Sequence, residues 1–107
     1  SSGSHNHPMF GSGLSWFYRD LAGLRPLMPG FKSFIVKPVT PEGLDWVEYT
    51  HDTTYGEIKV RWERRRGAFI LDCTVPVGTT ATIYVPSKSR YQSFDVVSGK
   101  HRFKTTI

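Results

Sequence analysis

Residues 57–75 read EIKVRWERRRGAFILDCTV, and this stretch decides the fold. Its first half alternates charged with apolar side chains, and the apolar members are Ile58, Val60 and Trp62. A period of two residues is typical of a β-strand with one buried face. Arg66-Gly67 is a turn signal, and the apolar run from Ala68 to Val75 predicts a second strand that pairs back on the first.

Five further segments around this hairpin are short and rich in β-branched or aromatic residues, with turn residues between them. They are Phe31–Pro38, Leu44–Thr50, Thr80–Val85, Tyr91–Val97 and His101–Ile107. The last two are predicted to form a hairpin around Ser98-Gly99-Lys100. Many short strands separated by turns predict a mainly β protein, an antiparallel β-sandwich of about seven to eight strands.

One segment ahead of the strands has a helical period. Its apolar face consists of Leu14, Phe17, Tyr18, Leu21 and Ala22. Ser12 is suited to be the N-cap, and Gly23 followed by Pro26 ends the helix. The sandwich is therefore preceded by one α-helix that needs a larger body to pack against. If the chain is produced alone, we expect residues 1–27 to pack poorly, or the exposed helix to self-associate with a second copy.

Composition restricts the class of protein. Of 107 residues, 38% are hydrophobic and 14% aromatic, which is enough for one globular core. The net charge is +5, but its densest run, Arg64-Arg65-Arg66, lies at the predicted hairpin tip, where charge protects the edge of a sheet. No nucleic-acid partner is expected, because no basic stripe or reader motif is present. No membrane partner is expected either, since no apolar run approaches the about 20 residues that span a bilayer.

The metal-binding residue types are sparse. Cys73 is the only cysteine, and its apolar surroundings predict a buried small side chain rather than a catalytic thiol. His5 and His7 lie two residues apart, but no third histidine or carboxylate is close to them in sequence. We therefore expect no metal and no other cofactor. The nine acidic residues fall at turns or on outward strand positions, and their spacing singles out no catalytic pair.

Trp46 and Trp62 allow two interpretations. Aromatic rings exposed on a β-sandwich stack on sugar faces, which would make the domain a carbohydrate-binding module. The alternation of Trp62 with Ile58 and Val60 favours the core instead. Trp46 is in register with Leu44, and we expect it to be buried as well.

The most distinctive residues form an ordered series along the chain. The series comprises Asn6-His7-Pro8-Met9-Phe10-Gly11-Ser12, Trp16-Phe17-Tyr18, Leu21-Ala22-Gly23-Leu24, Gly30-Phe31-Lys32, Phe34–Pro38, Tyr55–Ile58 with Trp62, and Val75-Pro76 through Val85-Pro86. In this order and spacing it resembles the C-terminal end of the bacterial α-L-rhamnosidases.

The resemblance implies a division of the chain into two parts. Residues 1–29 would be the loop and terminal helix of a catalytic (α/α)6 domain, and residues 30–107 the C-terminal β-sandwich. The family hydrolyses terminal α-L-rhamnosyl residues with inversion, using two glutamates that lie upstream of the Asn-His motif. Neither would be present here, because the first carboxylate of this chain is Asp20. The chain is therefore predicted to be structural and inactive alone, with the missing barrel as its partner and a rhamnoside as the substrate of the parent enzyme.

The resemblance also implies two substrate-binding residues. In the family the histidine of the Asn-His pair reaches the sugar pocket, so His7 is predicted to hydrogen-bond a sugar hydroxyl in the full enzyme. Asn6 is predicted to fix the loop that carries it. The alternative is a free-standing β-sandwich module that binds carbohydrate or protein. Such a module has no need for an aromatic-rich helix preceded by an Asn-His loop.

Overall fold

Two four-stranded sheets make up most of the part of the chain that the structure, a computed structural model, describes, residues 18–107. Residues 18–22 are helical, and a 3₁₀ turn spans Pro29–Phe31. The strands are β1 Leu24–Pro26, β2 Ser33–Val36, β3 Trp46–Thr53, β4 Gly56–Arg65, β5 Ala68–Val75, β6 Thr80–Ser87, β7 Arg90–Val96 and β8 Gly99–Thr106. The predicted mainly β sandwich preceded by a helix is confirmed.

Each sheet combines strands from two separate parts of the chain. The first sheet has the order β1-β2-β6-β7, and the second has the order β3-β4-β5-β8. All neighbouring strands are antiparallel except β2 and β6, which run parallel with Ser33 opposite Thr80. The chain therefore leaves the first sheet after β2, completes a three-stranded meander in the second, and returns for β6 and β7.

The predicted hairpin of the last two strands is wrong. β7 pairs with β6 and β8 pairs with β5, so the connection at Val97 and Ser98 crosses from one sheet to the other. The two strands meet through side chains instead, because the rings of Phe94 and Phe103 stack with centroids 4.5 Å apart. A period of two residues identifies a strand, but it does not show which strand is its hydrogen-bonded neighbour in the sheet and which one it only faces across the core.

Alternation along the strands builds the core between the sheets. In β5 every second residue is buried, beginning with Phe69 and ending with Val75. The largest fully buried side chains come from both sheets: Trp62, Phe34, Phe69, Leu24, Ile58, Leu71, Ile83, Val36, Val47, Val60 and Val85. Full burial of a side chain of this size contributes about 1.5–3 kcal/mol. The sandwich therefore has a continuous apolar interior.

The end of the helix belongs to this same core. Tyr18, Leu21 and Ala22 are buried with it, and Leu24 is 1% exposed. For these residues the expectation of poor packing in the isolated chain is wrong, because the sandwich itself supplies the larger body that the helix needs. Self-association through the helix is not tested by these contacts and stays a prediction.

Gly23 makes the turn from the helix into β1 in a very confined space. Its φ is +78°, and a Cβ at this position would lie 1.9 Å from the carbonyl oxygen of Lys37. The amide of Lys37 in turn donates to the carbonyl of Gly23 at 2.9 Å. Only glycine allows this approach, because the left-handed conformation and the contact both exclude a side chain.

We expect Gly23→Ala to lower the free energy of unfolding by about 3 kcal/mol, since it adds a backbone clash to the conformational cost. Gly43→Ala is the matched control, because Gly43 has a φ of +84° and a Cβ there would meet nothing within 4 Å. That control should lose only about 1 kcal/mol. Urea unfolding of the two variants measures both losses, and equal losses would show that the Lys37 contact has no energetic effect.

Candidate functional site

The two predicted substrate-binding residues, Asn6 and His7, lie outside the described residues. Their proposed roles therefore stay predictions. The described structure begins at Tyr18, in the helix through which the Asn-His segment is joined to the sandwich. The remaining candidates are the charged, aromatic and nucleophilic residues of the sandwich, and each of them has a defined place.

Two carboxylates of the second sheet, Glu48 and Asp72, take part in cross-strand ion pairs. Glu48, Arg61, Asp72 and Arg102 lie in one row across the outer face, from β3 to β8. Arg102 Nε lies 2.7 Å from Asp72 Oδ1 and its Nη2 lies 3.1 Å from Oδ2, a bidentate pair. Arg61 lies 4.0 Å from Glu48 on the other side of the row. Alternating charges of this kind stabilise neighbouring strands and compensate one another.

Within residues 18–107, no group of three or more histidine, cysteine, aspartate or glutamate residues is placed to hold a metal ion. Glu63 also has two arginine partners, with Arg61 Nη2 3.3 Å from its carboxylate and Arg65 on its other oxygen. Both partners lie on the same strand as Glu63, so these ion pairs run along β4.

The two strand tryptophans have different environments. Trp62 is fully buried, its ring stacks on Phe69 with centroids 5.5 Å apart, and its indole Nε1 donates to the Leu21 carbonyl at 3.0 Å. Its predicted place in the core is confirmed. Trp46 is only half-buried on the outer face, where the Arg61 guanidinium lies 4.8 Å from its ring centroid.

The prediction that Trp46 is buried like Trp62 is therefore wrong. β3 presents Val47 and Tyr49 to the core, so Trp46 and Glu48 face outward. Both faces of this strand carry apolar residues, so the sequence did not show which face is buried. The neighbouring Arg61 stabilises an outward tryptophan through a cation–π contact. Of the two tryptophans, only Trp46 therefore lies at the surface.

A third aromatic group lies on the outer face of the first sheet. Lys37 Nζ lies 5.3 Å from the ring centroid of Tyr84 and 4.9 Å from that of Tyr91. The two rings meet edge to face, with an interplanar angle of 89°. The Tyr91 hydroxyl donates to the Pro38 carbonyl at 3.1 Å. These contacts hold the residues after β2 against β6 and β7.

Cys73 has no nucleophilic role in this structure. Its side chain is 2% exposed, and burial raises the pKa of its thiol to about 12. The thiolate is the reactive form of cysteine, so a thiol with this pKa is inert near neutral pH. The prediction of a buried small side chain is confirmed.

Arg64 has a role that its place in the basic run did not indicate. Its guanidinium donates to the backbone carbonyls of Thr40, Pro41 and Leu44. It therefore fixes the long connection between β2 and β3, while Arg65 and Arg66 are exposed at the hairpin tip as predicted. A run of three arginines gives no signal that the first of them turns toward a loop from a distant part of the sequence.

His51 lies in a cluster that the sequence did not single out. Its ring centroid is 4.6 Å from that of Phe31, and its Nδ1 is 3.4 Å from the Tyr49 hydroxyl. Burial lowers the pKa of His51, and the positive charge of Arg19 lowers it further. The cluster thus joins the start of the described helix, the 3₁₀ turn and β3 at one point.

Comparison with known proteins identifies the sandwich. Residues 23–100 match the family model described as the bacterial alpha-L-rhamnosidase C-terminal domain. The chain belongs to this family.

Solved rhamnosidases contain the same fold as this family member. The α-L-rhamnosidase of Streptomyces avermitilis, solved in complex with L-rhamnose, matches with a TM-score of 0.77 and 28% identity over 83% of this chain and 10% of that one. The native enzyme of Aspergillus terreus matches with a TM-score of 0.78 and 30% identity over 86% of this chain and 11% of that one. The predicted resemblance is confirmed.

Curated sequences agree with the structural matches. The Streptomyces avermitilis α-L-rhamnosidase is 31% identical over 116 aligned residues, which cover 94% of this chain and 11% of that protein. The α-L-rhamnosidase of Formosa agariphila is 33% identical over 84 residues, covering 78% of this chain and 9% of that protein. This rhamnosidase C-terminal domain therefore spans about a tenth of the length of the relatives it matches.

The Trp62 hydrogen bond should have a measurable effect on stability. We expect Trp62→Phe to lower the free energy of unfolding by about 2 kcal/mol, because it removes one of the two donors to the Leu21 carbonyl and creates a cavity in the core. Trp46→Phe on the outer face should cost less than about 1 kcal/mol. Chemical unfolding followed by tyrosine fluorescence or circular dichroism compares the two, and similar losses would contradict the assigned role of Trp62.

His51 should make the stability depend on pH. Because its folded-state pKa lies below the ordinary 6.5, the unfolded chain binds the proton more readily. The contribution of His51 to the free energy of unfolding is therefore complete above pH 6.5. It is lost as the pH falls from 6.5 toward the folded-state pKa. We expect His51→Gln to flatten the unfolding midpoint as a function of pH over that interval. Parallel curves for the variant and the unsubstituted chain would exclude this contribution.

Proposed function

We propose that this chain is the C-terminal β-sandwich of a longer α-L-rhamnosidase, which hydrolyses terminal α-L-rhamnosyl residues through a catalytic part that precedes the sandwich. The observation that carries the proposal is the match of residues 23–100 to the C-terminal domain of that family. It is supported by the lengths of the relatives, since this chain covers only 11% of the Streptomyces avermitilis enzyme.

The chemistry of the described residues supports a division of labour. Inverting glycoside hydrolysis needs a carboxylic acid and a carboxylate, roughly 6.5–9.5 Å apart, on opposite sides of a bound sugar. The carboxylates of Glu48, Glu63 and Asp72 are instead paired with arginines on the outer face of a sheet. The acid and the base therefore belong to the preceding part, and the sandwich has a structural role.

That structural role is to hold the helix that leads back to the Asn-His segment. Trp62 Nε1 and the amide of Val39 both donate to the Leu21 carbonyl, at 3.0 and 3.1 Å. The amide of Lys37 donates to the carbonyl of Gly23, in the turn directly after the helix, at 2.9 Å. The last carbonyls of a helix have no partners within the helix, so these three donors from the sandwich fix its end in position.

Asn6 and His7 would then act from a helix whose far end is immobilised. In the complete enzyme His7 donates a hydrogen bond to a hydroxyl of the rhamnosyl group, and Asn6 stabilises the loop through its side-chain amide. The rhamnoside is the substrate of the whole protein, and the sandwich contributes to its binding only through this connection.

The complete protein should release L-rhamnose from p-nitrophenyl α-L-rhamnopyranoside, with inversion visible by proton NMR of the first-formed anomer. The 107-residue chain alone should give no release above the uncatalysed rate, because it lacks the acid and the base. Release by the isolated chain, or none by the complete protein, would refute the proposal.

In the complete protein, we expect His7→Ala to lower kcat/KM about 10- to 100-fold, the effect of losing one hydrogen bond to the substrate. His5→Ala is the matched control, since it removes a neighbouring imidazole to which no role is assigned, and it should leave kcat/KM unchanged. Equal losses in the two variants would indicate a general effect on the loop instead of a contact to the sugar.

A further inference from the structure

Exposed apolar side chains are concentrated at one end of the sandwich. Eight large hydrophobic residues of the described chain are exposed, and five of them lie in the turns of a single end. These five are Leu27 at 56%, Met28 at 47%, Tyr55 at 40%, Val77 at 83% and Val97 at 66% exposed. We call this surface the entry end.

The strand directions place these five residues together. Leu27 and Met28 follow β1, Tyr55 joins β3 to β4, Val77 joins β5 to β6, and Val97 joins β7 to β8. A Cβ at Gly30 would lie 3.9 Å from Tyr55 Cε2, and one at Gly78 would lie 3.6 Å from Tyr55 Cδ1. The Tyr55 ring therefore bridges the turns after β1 and after β5.

The described chain begins near this same end. Arg19 is close enough to His51 to lower its pKa, and His51 contacts Phe31, the residue after Gly30. Two residues later, the Leu21 carbonyl reaches Trp62, farther along β4 toward the opposite end. The helix therefore runs away from the entry end, and its N-terminal side points toward the rest of the polypeptide.

We propose that the entry end is the surface on which the preceding domain of the same polypeptide docks, with Met28, Tyr55 and Val77 at the centre of the contact. This inference rests on the proposed function, since that function supplies the preceding domain. Two observations select this occupant: the concentration of exposed apolar side chains and the direction of the helix. Burial of such a surface is the usual role of an apolar patch on a globular domain.

Hydroxyl-radical footprinting of the complete protein tests the docking surface directly. Tyr55 and Tyr91 form a matched pair, because they are 40% and 42% exposed at opposite ends of the sandwich. Docking should make the oxidation of Tyr55 at least about fivefold slower than that of Tyr91, since interface cores exclude water. A ratio near one, or faster oxidation of Tyr55, overturns the proposal. Protection of Tyr55 that disappears on dilution also overturns it, because the occupant would then be a second copy.

A pair of valine substitutions in the complete protein gives an independent readout. Val77→Asp places a charge in the docking surface, whereas Val39→Asp places one at an exposed site of the opposite end. We expect the first to lower the midpoint of thermal unfolding by several degrees and to speed proteolytic release of the sandwich, and the second to change neither. Equal effects of the two substitutions overturn the assignment of the surface.

Neither readout depends on rhamnoside hydrolysis, so the two proposals fail separately. A protein in which Tyr55 is protected but which releases no rhamnose contradicts the proposed function and retains the docking surface. An active rhamnosidase in which Tyr55 and Tyr91 are oxidised equally contradicts the docking surface and retains the proposed function.

Discussion

The hydrogen bond from the Trp62 indole to the Leu21 carbonyl connects the centre of the core with the end of the helix. Trp62 is fully buried, so its N–H needs an acceptor inside the protein, and the Leu21 carbonyl lies at the end of the helix, where the helix supplies no further N–H donors. Each group satisfies the other. Because the core could not close around an unpaired indole at low cost, the helix end and the sandwich form one unit, and the confined turn at Gly23 follows from their proximity. The predicted domain boundary at residue 29 stays a prediction. Within the described residues, the core packs continuously across that position.

Strand alternation made much of the sandwich predictable. β5 was predicted from Ala68 to Val75 and occupies those residues, because its apolar period is regular and both ends carry turn residues. β1 was missed, since three residues that include Pro26 show no period, and the strand exists only through its pairing with β2. The phase of β3 was missed because both of its faces carry apolar residues, and only Arg61 from the next strand shows why Trp46 faces outward. Tertiary contacts decided each of these cases.

The candidate site was predictable to a different degree. The Asn-His motif and the order of the later motifs were sufficient to indicate the family, which depends on residue identity and spacing. The His51 cluster could not be predicted from the sequence. Phe31, Tyr49 and Arg19 come from three elements, and none of them forms a sequence pattern with the histidine. The same reason applies to Arg64, whose three carbonyl partners lie 20–24 residues earlier. No helix among residues 18–107 is long and apolar enough to cross a membrane.

The two kinds of surface on this domain have different physical requirements. The outer face of the second sheet carries both signs of charge in close pairs, such as Arg102 with Asp72. The entry end has the opposite character, because its exposed side chains are mainly apolar. The cost of exposing apolar surface to water is therefore greatest at the entry end. This asymmetry supports the proposed docking surface, because the entry end carries five of the eight exposed large hydrophobic side chains of residues 18–107.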